Sequence, residues 1–218
     1  MFRIYGFDSI NNRKVLYVAE AIGTTYEFIP LDPFQGEHKK EDHLKRNPFG
    51  KTPALEHAGK ILFESSTICR YMAKISRSDL YPTDIFKGSL VDQWLDFSAT
   101  QVGWWFGTLL FERHDKEKYL GMGEADSQVV DQALGILNQQ LPVLDRWLKK
   151  NRHIAGNEIT IADYCVYAYL ETTEKSKFSL KSFPDLDNYY NQLQELEPIK
   201  VVQNKLKSYP LSASPTRS

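Results

Sequence analysis

The segment NPFGKTPAL, residues 47–55, places the pair Thr52 and Pro53 directly before a predicted strand. Taken locally, the pair favours a trans proline at the start of an edge strand, where a missing N–H is tolerated. A cis bond is the alternative, because the cis form of an X-Pro bond costs only about 0.5–1 kcal/mol. A cis bond would leave the backbone N–H and C=O of Thr52 free to pair with an extended peptide ligand.

A second polar pair, Glu64 and Ser65, falls where a later strand ends and a helix is predicted to begin. Ser65 at this position favours an N-cap role, in which its hydroxyl accepts from a backbone N–H of the first turn. A helix N-terminus also attracts a carboxylate, and Glu64 could receive an ammonium group. The pair could therefore hold both charges of an amino-acid end.

Two other polar positions could bind a charged ligand. His38 and Lys39, in the run EHKK, form either a solvated charged face or a clamp that donates to one carboxylate. Ser9 opens the first predicted helix, where it either caps the helix or donates a hydrogen bond to a thiolate that the helix dipole also stabilises. Because no cysteine lies in this loop, such a thiol must belong to a ligand.

The composition excludes several other classes of function. The chain of 218 residues has a net charge of −1, which gives no electrostatic reason to bind nucleic acid or an anionic membrane. The sequence contains no apolar run of membrane-spanning length and no apolar signal core at the N-terminus, so a cytoplasmic protein is expected. Cys69 and Cys165 are expected to be free thiols, and neither they nor the histidines show the spacing of metal ligands.

The first third of the chain predicts alternating strands and helices. FRIYGF and TYEFIPLD read as strands, and the helical pattern between them ends at Gly23, which together predict a βαβ unit with parallel strands. PALEHAGKILFE predicts two strands joined by a turn, and SSTICRYMAKI predicts a helix. This order predicts an α/β thioredoxin-like domain over residues 1–76.

The rest of the chain predicts a second, all-α domain. A polar, proline-containing linker is expected at 77–86, and helical periodicity extends over 87–218. TIAD, with Thr160 and Asp163, is a capping box ahead of an apolar helix. The tail SYPLSASPTRS is expected to be loosely held.

The order of these polar positions and predicted elements resembles that of a cytosolic glutathione transferase, over nearly the whole chain. The resemblance is strongest at residues 36–72, which resemble the corresponding segment of phi-class enzymes. It implies a cis Pro53, with the backbone of Thr52 pairing with the cysteinyl part of glutathione. It also implies three sets of ligand contacts: Glu64 and Ser65 for the γ-glutamyl end, His38 and Lys39 for the glycyl carboxylate, and Lys51 beside the tripeptide.

The resemblance offers two residues that could activate the thiol. Ser9 occupies the catalytic place of the phi-class pattern, although Asn12 stands where those chains usually have threonine. Ser9, Asn11 and Lys14 also resemble a bacterial nu-like pattern, in which the asparagine amide can touch the thiol. Ser9 is the first candidate and Asn11 the second, while Tyr5, at the end of the first strand, is interpreted as a packing residue.

The resemblance also implies a pocket for a small hydrophobic electrophile or peroxide between the two domains. Trp104, Trp105 and Phe111 could line it, although core or dimer packing is the alternative for each of them. A homodimer that uses glutathione as co-substrate, without a metal, is expected. The alternatives are a glutathione-dependent disulfide reductase or peroxidase on the same fold, and a non-enzymatic binding module similar to the gamma subunits of translation elongation factor.

Overall fold

The computed structural model describes residues 1–211. By its internal contacts the chain divides into two compact units. The first comprises Met1–Tyr81 together with the segment that begins at Leu196, and the second comprises Pro82–Glu195. Most of the tail that was expected to be loosely held, residues 212–218, lies outside the described residues.

The first unit is built on one mixed sheet of four strands in the order β2-β1-β3-β4. β1 pairs in parallel with β2 and antiparallel with β3, which in turn pairs antiparallel with β4. The predicted βαβ unit and the following hairpin are therefore confirmed. The elements are β1 (Phe2–Gly6), α1 (Ile10–Ala21), β2 (Tyr26–Pro30), a 3-10 turn (Glu37–Lys39), α2 (Glu41–Leu44), β3 (Ala54–His57), β4 (Lys60–Phe63), α3 (Ser65–Ile75) and α10 (Glu197–Leu206).

Helix α1 packs in the core of this unit, and its N-terminus carries the Ser9 loop. Its apolar residues Val15, Leu16, Val18 and Ala19 are fully buried, and the helix packs against α3 and α10. As expected, the chain leaves the helix at Gly23, whose positive φ of 66° suits glycine. The N-terminus of α1 directly follows β1 and is thereby held at the carboxyl end of the parallel strand pair.

The Thr52–Pro53 peptide bond is cis, as the family resemblance implied. The prediction from local sequence, a trans proline entering an edge strand, is wrong on both counts. β3 begins one residue later and pairs with β1 on one side and β4 on the other, so it is an inner strand. Pro53 lies just before the paired residues, and its missing N–H therefore removes no ladder hydrogen bond.

The C-terminal helix α10 groups with the first unit, whereas the expected boundaries placed all of residues 87–218 in the helical domain. Lys205 on α10 explains the attachment: its Nζ donates to Glu20 at 3.1 Å and to the Tyr26 hydroxyl at 2.7 Å. The same ammonium lies 4.1 Å from the centre of the Tyr26 ring, a cation–π distance. Nothing in the helical periodicity of α10 indicated which unit it would pack against.

The second unit is helical, as predicted. Its long helix α7 packs against α5 and α9, and an apolar stripe that includes Leu137, Leu141 and Leu144 is buried. The elements are α4 (Ile85–Phe97), a π-helical turn (Ser98–Val102), α5 (Gly103–Leu110), a second π-helical turn (Phe111–Asp115), α6 (Lys116–Lys118), α7 (Ser127–Leu148), α8 (Ile161–Leu170) and α9 (Pro184–Gln194).

The capping box at the start of α8 is confirmed. The Thr160 hydroxyl accepts from the backbone N–H of Ala162 at 3.3 Å, and Asp163 Oδ2 accepts from the Thr160 N–H at 2.7 Å. The other carboxylate oxygen, Asp163 Oδ1, accepts from the Ile154 N–H at 2.9 Å and from the Tyr189 hydroxyl at 2.7 Å. Asp163 therefore joins the helix start to the preceding loop and to α9.

Among the described helices, none combines the length and the apolar character that a bilayer crossing would require.

Candidate active site

The first loop places Ser9 at the N-cap of α1, with extended backbone angles of φ −144° and ψ 159°. Its Oγ accepts from the Asn12 backbone N–H at 3.5 Å and from the Asn12 side-chain Nδ2 at 3.1 Å. A serine hydroxyl has two acceptor positions and one hydrogen. Both acceptor positions are filled from within the fold, so the hydroxyl hydrogen is left to donate at the positive end of the helix dipole.

An ion pair between Asp8 and Arg13 spans the loop that contains Ser9. The guanidinium of Arg13 donates through Nε and Nη2 to the two carboxylate oxygens of Asp8, at 2.5 and 2.9 Å. The arrangement is a bidentate fork, which fixes orientation as well as distance. Because Asp8 and Arg13 lie on either side of Ser9 in the chain, the pair holds the backbone that presents the Ser9 hydroxyl.

Asn11 lies beside Ser9 and is oriented by two donors. Its Oδ1 accepts from Lys14 Nζ at 2.9 Å and from Ser65 Oγ at 3.2 Å. With the carbonyl end occupied, the Asn11 Nδ2 group is directed away from these partners, as a donor. Ser65 therefore does not cap α3; Glu64 occupies the N-cap position without a side-chain cap, so the capping role predicted from local sequence is wrong.

Glu64 has an unusual backbone conformation, φ 70° and ψ 112°. Such angles are uncommon for a residue with a Cβ and typically cost about 1–3 kcal/mol, and they concentrate at functional sites. Within residues 1–211 its exposed carboxylate forms no ion pair or side-chain hydrogen bond. A strained residue that presents a free carboxylate at a helix start is suited to bind an ammonium group.

The NPFG motif forms a tight turn that carries Lys39. Asn47 Oδ1 accepts from the Phe49 N–H at 3.1 Å, and the Gly50 N–H donates to the Asn47 carbonyl at 2.8 Å. Gly50 has φ +58°, and a Cβ there would lie 2.7 Å from Lys39 Cδ. The glycine thus lets the Lys39 side chain cross the turn, where its Nζ donates to the Phe49 carbonyl at 3.2 Å.

The side chains of His43 and Asn47, which were not predicted as site residues, are buried and form hydrogen bonds to the backbone of Lys51. The Lys51 carbonyl accepts from His43 Nε2 at 2.8 Å and from Asn47 Nδ2 at 2.9 Å. A carbonyl only accepts, so the His43 proton lies on Nε2. The Asn-Pro dipeptide at 47–48 signals a turn, but nothing in the sequence signals that His43 is buried against that turn.

Thr52 follows Lys51 and has its backbone polar groups free. Within residues 1–211 neither its N–H nor its C=O forms a hydrogen bond, whereas its Oγ1 accepts from Asn12 Nδ2 at 2.9 Å. Unpaired backbone groups beside a sheet are available to an added extended segment. The backbone at Thr52 can therefore receive a peptide, as the resemblance implied.

His38 also has a polar atom without a partner. Its Nδ1 is buried and forms no hydrogen bond in the described part of the chain. Burial lowers the pKa of His38 below its usual value, and the charges of Lys39 and His43 lower it further. A neutral imidazole has one N–H, so His38 and the Lys39 ammonium together can offer two donors to one carboxylate.

The hydroxyl of Tyr5, the other residue considered for activating the thiol, already forms a hydrogen bond within the fold. Its hydroxyl donates to Glu56 Oε2 at 2.8 Å, and the Arg46 guanidinium lies 4.1 Å from the ring centre. Burial and the hydrogen bond to Glu56 raise its pKa. These contacts support the interpretation of Tyr5 as a packing residue.

In the second unit, the aromatic residues near α5 differ in exposure. Trp104 is 69% exposed and Phe111 37% exposed, whereas Phe106 is fully buried and packs edge-on against Phe178 with centroids 5.7 Å apart. Trp105 is half-buried. The positions of Trp104 and Phe111, seven residues apart, put both on one helix face, with π-helical turns on either side of α5.

Within the described residues, no group of three or more His, Cys, Asp or Glu side chains is arranged to hold a metal ion.

Comparison with known proteins identifies the family. Residues 2–74 match the glutathione S-transferase N-terminal domain, and residues 104–197 match its C-terminal domain. A probable glutathione S-transferase GSTF2 of Oryza sativa subsp. japonica is 35% identical over 74% of this chain and 75% of its own length. Elongation factor 1-gamma 1 of the same organism is 30% identical over 94% of this chain, which spans 49% of that protein.

A solved structure agrees over the whole fold. Glutathione S-transferase I from maize, in complex with an atrazine glutathione conjugate, superposes with a TM-score of 0.86 at 28% identity, covering 96% of this chain and 99% of that one. The fold predicted from the sequence, a thioredoxin-like domain followed by a helical domain, is confirmed by these matches. On this evidence the chain belongs to the glutathione S-transferase family.

Proposed function

We propose that this glutathione transferase binds reduced glutathione on its first unit and conjugates the glutathione thiol to small hydrophobic electrophiles, with Ser9 as the hydrogen-bond donor to the thiolate. The observation that carries this proposal is the hydroxyl of Ser9. Both of its acceptor positions are filled by Asn12, so its hydrogen is left to donate at the N-terminus of α1. A donor there favours the ionised form of a bound thiol.

The unpaired groups of the first unit fit the three parts of the tripeptide. The free carboxylate of Glu64 and the hydroxyl of Ser65 would hold the γ-glutamyl end, at the N-terminus of α3. The free backbone groups of Thr52 would pair with the cysteinyl residue. The part-buried His38 and the exposed Lys39 would bind the glycyl carboxylate, with the exposed Lys51 alongside.

The chemistry needs one proton transfer and one bond-forming step. The bound thiol loses its proton to solvent, and the resulting thiolate is stabilised by the Ser9 O–H and by the dipole of α1. The sulfur lone pair then attacks the electrophilic carbon, forming a C–S bond while the leaving group departs with its bonding electrons. Each unit by which the thiol pKa is lowered corresponds to about 1.36 kcal/mol of preferential thiolate stabilisation.

Calorimetric titration with reduced glutathione, followed by thiolate absorbance measured against pH, tests the proposal. We expect saturable binding and a bound thiol with a pKa clearly below the value of about 8.5 that is usual for a free thiol. Conjugation of an aryl halide should follow the same pH profile. Absence of binding, or binding with an unshifted thiol pKa, would contradict the proposed mechanism.

A disulfide or peroxide substrate is the second candidate, and the orientation of Asn11 favours it. Lys14 and Ser65 occupy the Asn11 carbonyl oxygen, so the amide nitrogen is available to a second sulfur or oxygen atom beside the thiol. Turnover of a glutathione-linked disulfide without aryl-halide conjugation would identify this activity.

The electrophile pocket, the homodimer and the cytoplasmic location also belong to the proposal. The exposed faces of Trp104 and Phe111 and the half-buried Trp105 offer apolar surface for an electrophile.

Phe49 is 66% exposed beside Phe63, with ring centroids 6.0 Å apart, and such an aromatic patch suits a protein contact in a homodimer. Sedimentation of the wild type and of Phe49→Ala would test the dimer.

Cys69 and Cys165 are both buried and neither forms a disulfide in the described part of the chain, which suits a reducing compartment.

A further inference from the structure

We propose that Asn12 is the positioning residue of the thiol site: its amide holds the hydroxyls of Ser9 and Thr52 together and thereby directs the Ser9 O–H toward the glutathione sulfur. This inference rests on the proposed function, since it concerns how Ser9 is made ready for the thiolate. Asn12 itself is fully buried, so it would touch neither glutathione nor the electrophile.

The hydrogen bonds of Asn12 account for both hydrogens of its amide group. Nδ2 donates to Ser9 Oγ at 3.1 Å and to Thr52 Oγ1 at 2.9 Å. An asparagine NH₂ has two donor hydrogens, and both are used. Two residues that are 43 positions apart in the chain are thus joined by one side chain, one at the start of α1 and one at the turn before β3.

The packing around Asn12 leaves the amide little freedom to rotate. Gly6, the last residue of β1, lies so close that an added Cβ would be 2.1 Å from Asn12 Oδ1 and 2.4 Å from Nδ2. Real Cβ atoms do not approach other heavy atoms this closely, so only glycine at position 6 accommodates the side chain. The amide is therefore confined between the end of β1 and the Thr52 turn.

One polar atom of Asn12 remains unsatisfied. Oδ1 is buried and forms no hydrogen bond within residues 1–211. A buried acceptor without a partner costs stability, and in a native fold it calls for an explanation. If the amide were reversed, its oxygen would face the hydroxyls of Ser9 and Thr52 and would take the hydrogens of both. The observed arrangement leaves the carbonyl unpaired and keeps both hydroxyl hydrogens available.

The consequence for Ser9 is directional. Asn12 donates to both acceptor positions of Ser9 Oγ, so the Ser9 hydrogen must point away from Asn12. Donation into the hydroxyl oxygen also polarises the O–H bond and strengthens it as a donor. Because the same amide holds Thr52, the donor to the sulfur and the backbone that binds the cysteinyl residue are kept in one geometry.

Asn12→Ala and Asn12→Asp test the inference by the pKa of the bound glutathione thiol. Removal of the amide in Asn12→Ala should raise that pKa by about one unit and lower the conjugation rate at neutral pH roughly tenfold, while glutathione affinity changes less than about threefold. Asn12→Asp has nearly the same shape but only acceptors, so it should capture the Ser9 hydrogen and raise the thiol pKa at least as far. Should Asn12→Ala fail to fold, Asn12→Asp still provides the test.

A double mutant separates positioning from an independent effect. If Asn12 acts through Ser9, Ser9→Ala/Asn12→Ala should show the same thiol pKa as Ser9→Ala alone. Additive shifts, or an unchanged thiol pKa in a folded Asn12 variant, would overturn the inference. Asn151→Asp makes the same chemical change just beyond α7 in the second unit, where the amide donates to the Trp147 carbonyl, and should leave the thiol pKa unaltered.

The wild-type titration distinguishes failure of the inference from failure of the proposed function. A wild type that binds glutathione with a lowered thiol pKa, and Asn12 variants that keep that lowered value, would refute only the role of Asn12. A wild type with no binding or no lowered pKa would refute the proposed function and this inference with it.

Discussion

Two buried polar clusters, one around Asn12 in the first unit and one around Asp163 in the second, differ in how completely their hydrogen-bonding groups are used. Both oxygens of Asp163 accept from donors within the fold: two backbone N–H groups and the hydroxyls of Thr160 and Tyr189. Around Asn12, one carbonyl oxygen has no partner, and the hydroxyls of Ser9 and Thr52 keep their hydrogens.

The difference separates a stabilising cluster from a ligand site. The Asp163 carboxylate, both of whose oxygens accept from donors within the fold, contributes to stability and has no acceptor left to offer a ligand. A cluster that leaves donors unused gives up some stability and retains the capacity to bind. The free carboxylate of Glu64 and the unpaired backbone of Thr52 lie in the same unit as the Asn12 cluster.

The largest effect should come from removal of the Asp163 carboxylate. Asp163→Ala leaves the N–H groups of Ile154 and Thr160 and the Tyr189 hydroxyl buried without an acceptor, so we expect a loss of roughly 3 kcal/mol or more in the free energy of unfolding. Denaturant unfolding measures this loss, with the exposed Asp131→Ala on α7 as the matched control. A stability equal to that of the control would mean that the two clusters do not differ as described.

Ser9→Ala should affect the reaction rather than the fold. Removal of the donor should lower kcat/KM for conjugation by about 10²-fold, in the range found when one preorganised donor to a developing anion is lost. Glutathione affinity, measured by calorimetry, should change much less. Equal losses in affinity and in rate would mean that Ser9 only caps α1.

Two substitutions of Glu64 should separate its contribution to binding from its backbone strain. Glu64→Ala should weaken glutathione binding by about tenfold or more, because a charge-assisted contact is lost. Glu64→Gly should weaken binding equally but relieve the positive φ, so its unfolding free energy should rise by about 1 kcal/mol. Parallel calorimetry and thermal unfolding report both quantities, and unchanged binding would remove Glu64 from the site.

His38 should couple binding to pH. Burial lowers its pKa in the free protein, and the carboxylate of bound glutathione would raise it again. Binding should therefore take up a proton near and below pH 6.5, and the contribution of His38 to affinity should be lost as the pH rises through the pKa of the bound form. Titrations in two buffers of different ionisation enthalpy measure the uptake, which His38→Gln should abolish.

The smallest effect is expected from the Thr160 side chain, which caps α8. Thr160→Ala should cost about 1 kcal/mol of stability, the usual value of an N-cap side chain, with the thiol pKa of bound glutathione unchanged. A selective loss of activity in the folded variant would contradict the assignment of this cluster to stability alone.

The sequence by itself determined the order of the strands and of the main helices in the first unit, and the helical character of the second. Alternating and helical periodicities predicted β1, α1 and β2, and the predicted helix SSTICRYMAKI coincides with α3 (Ser65–Ile75). The capping box at Thr160 could be predicted because its partners are three residues apart. Local patterns of this kind depend on neighbours in the chain, which the sequence displays directly.

Only the tertiary structure decided the features that depend on residues distant in the chain. Local preference suggested a trans Pro53 and a capping Ser65, and both were wrong; the resemblance to the family supplied the cis bond. Ser65 donates to Asn11, which is 54 positions away, and Asn12 reaches Thr52 across 40. Such contacts exist only once the sheet has brought the N-terminus of α1 next to the turn before β3, because the direction of a hydrogen bond is set by geometry that periodicity does not encode.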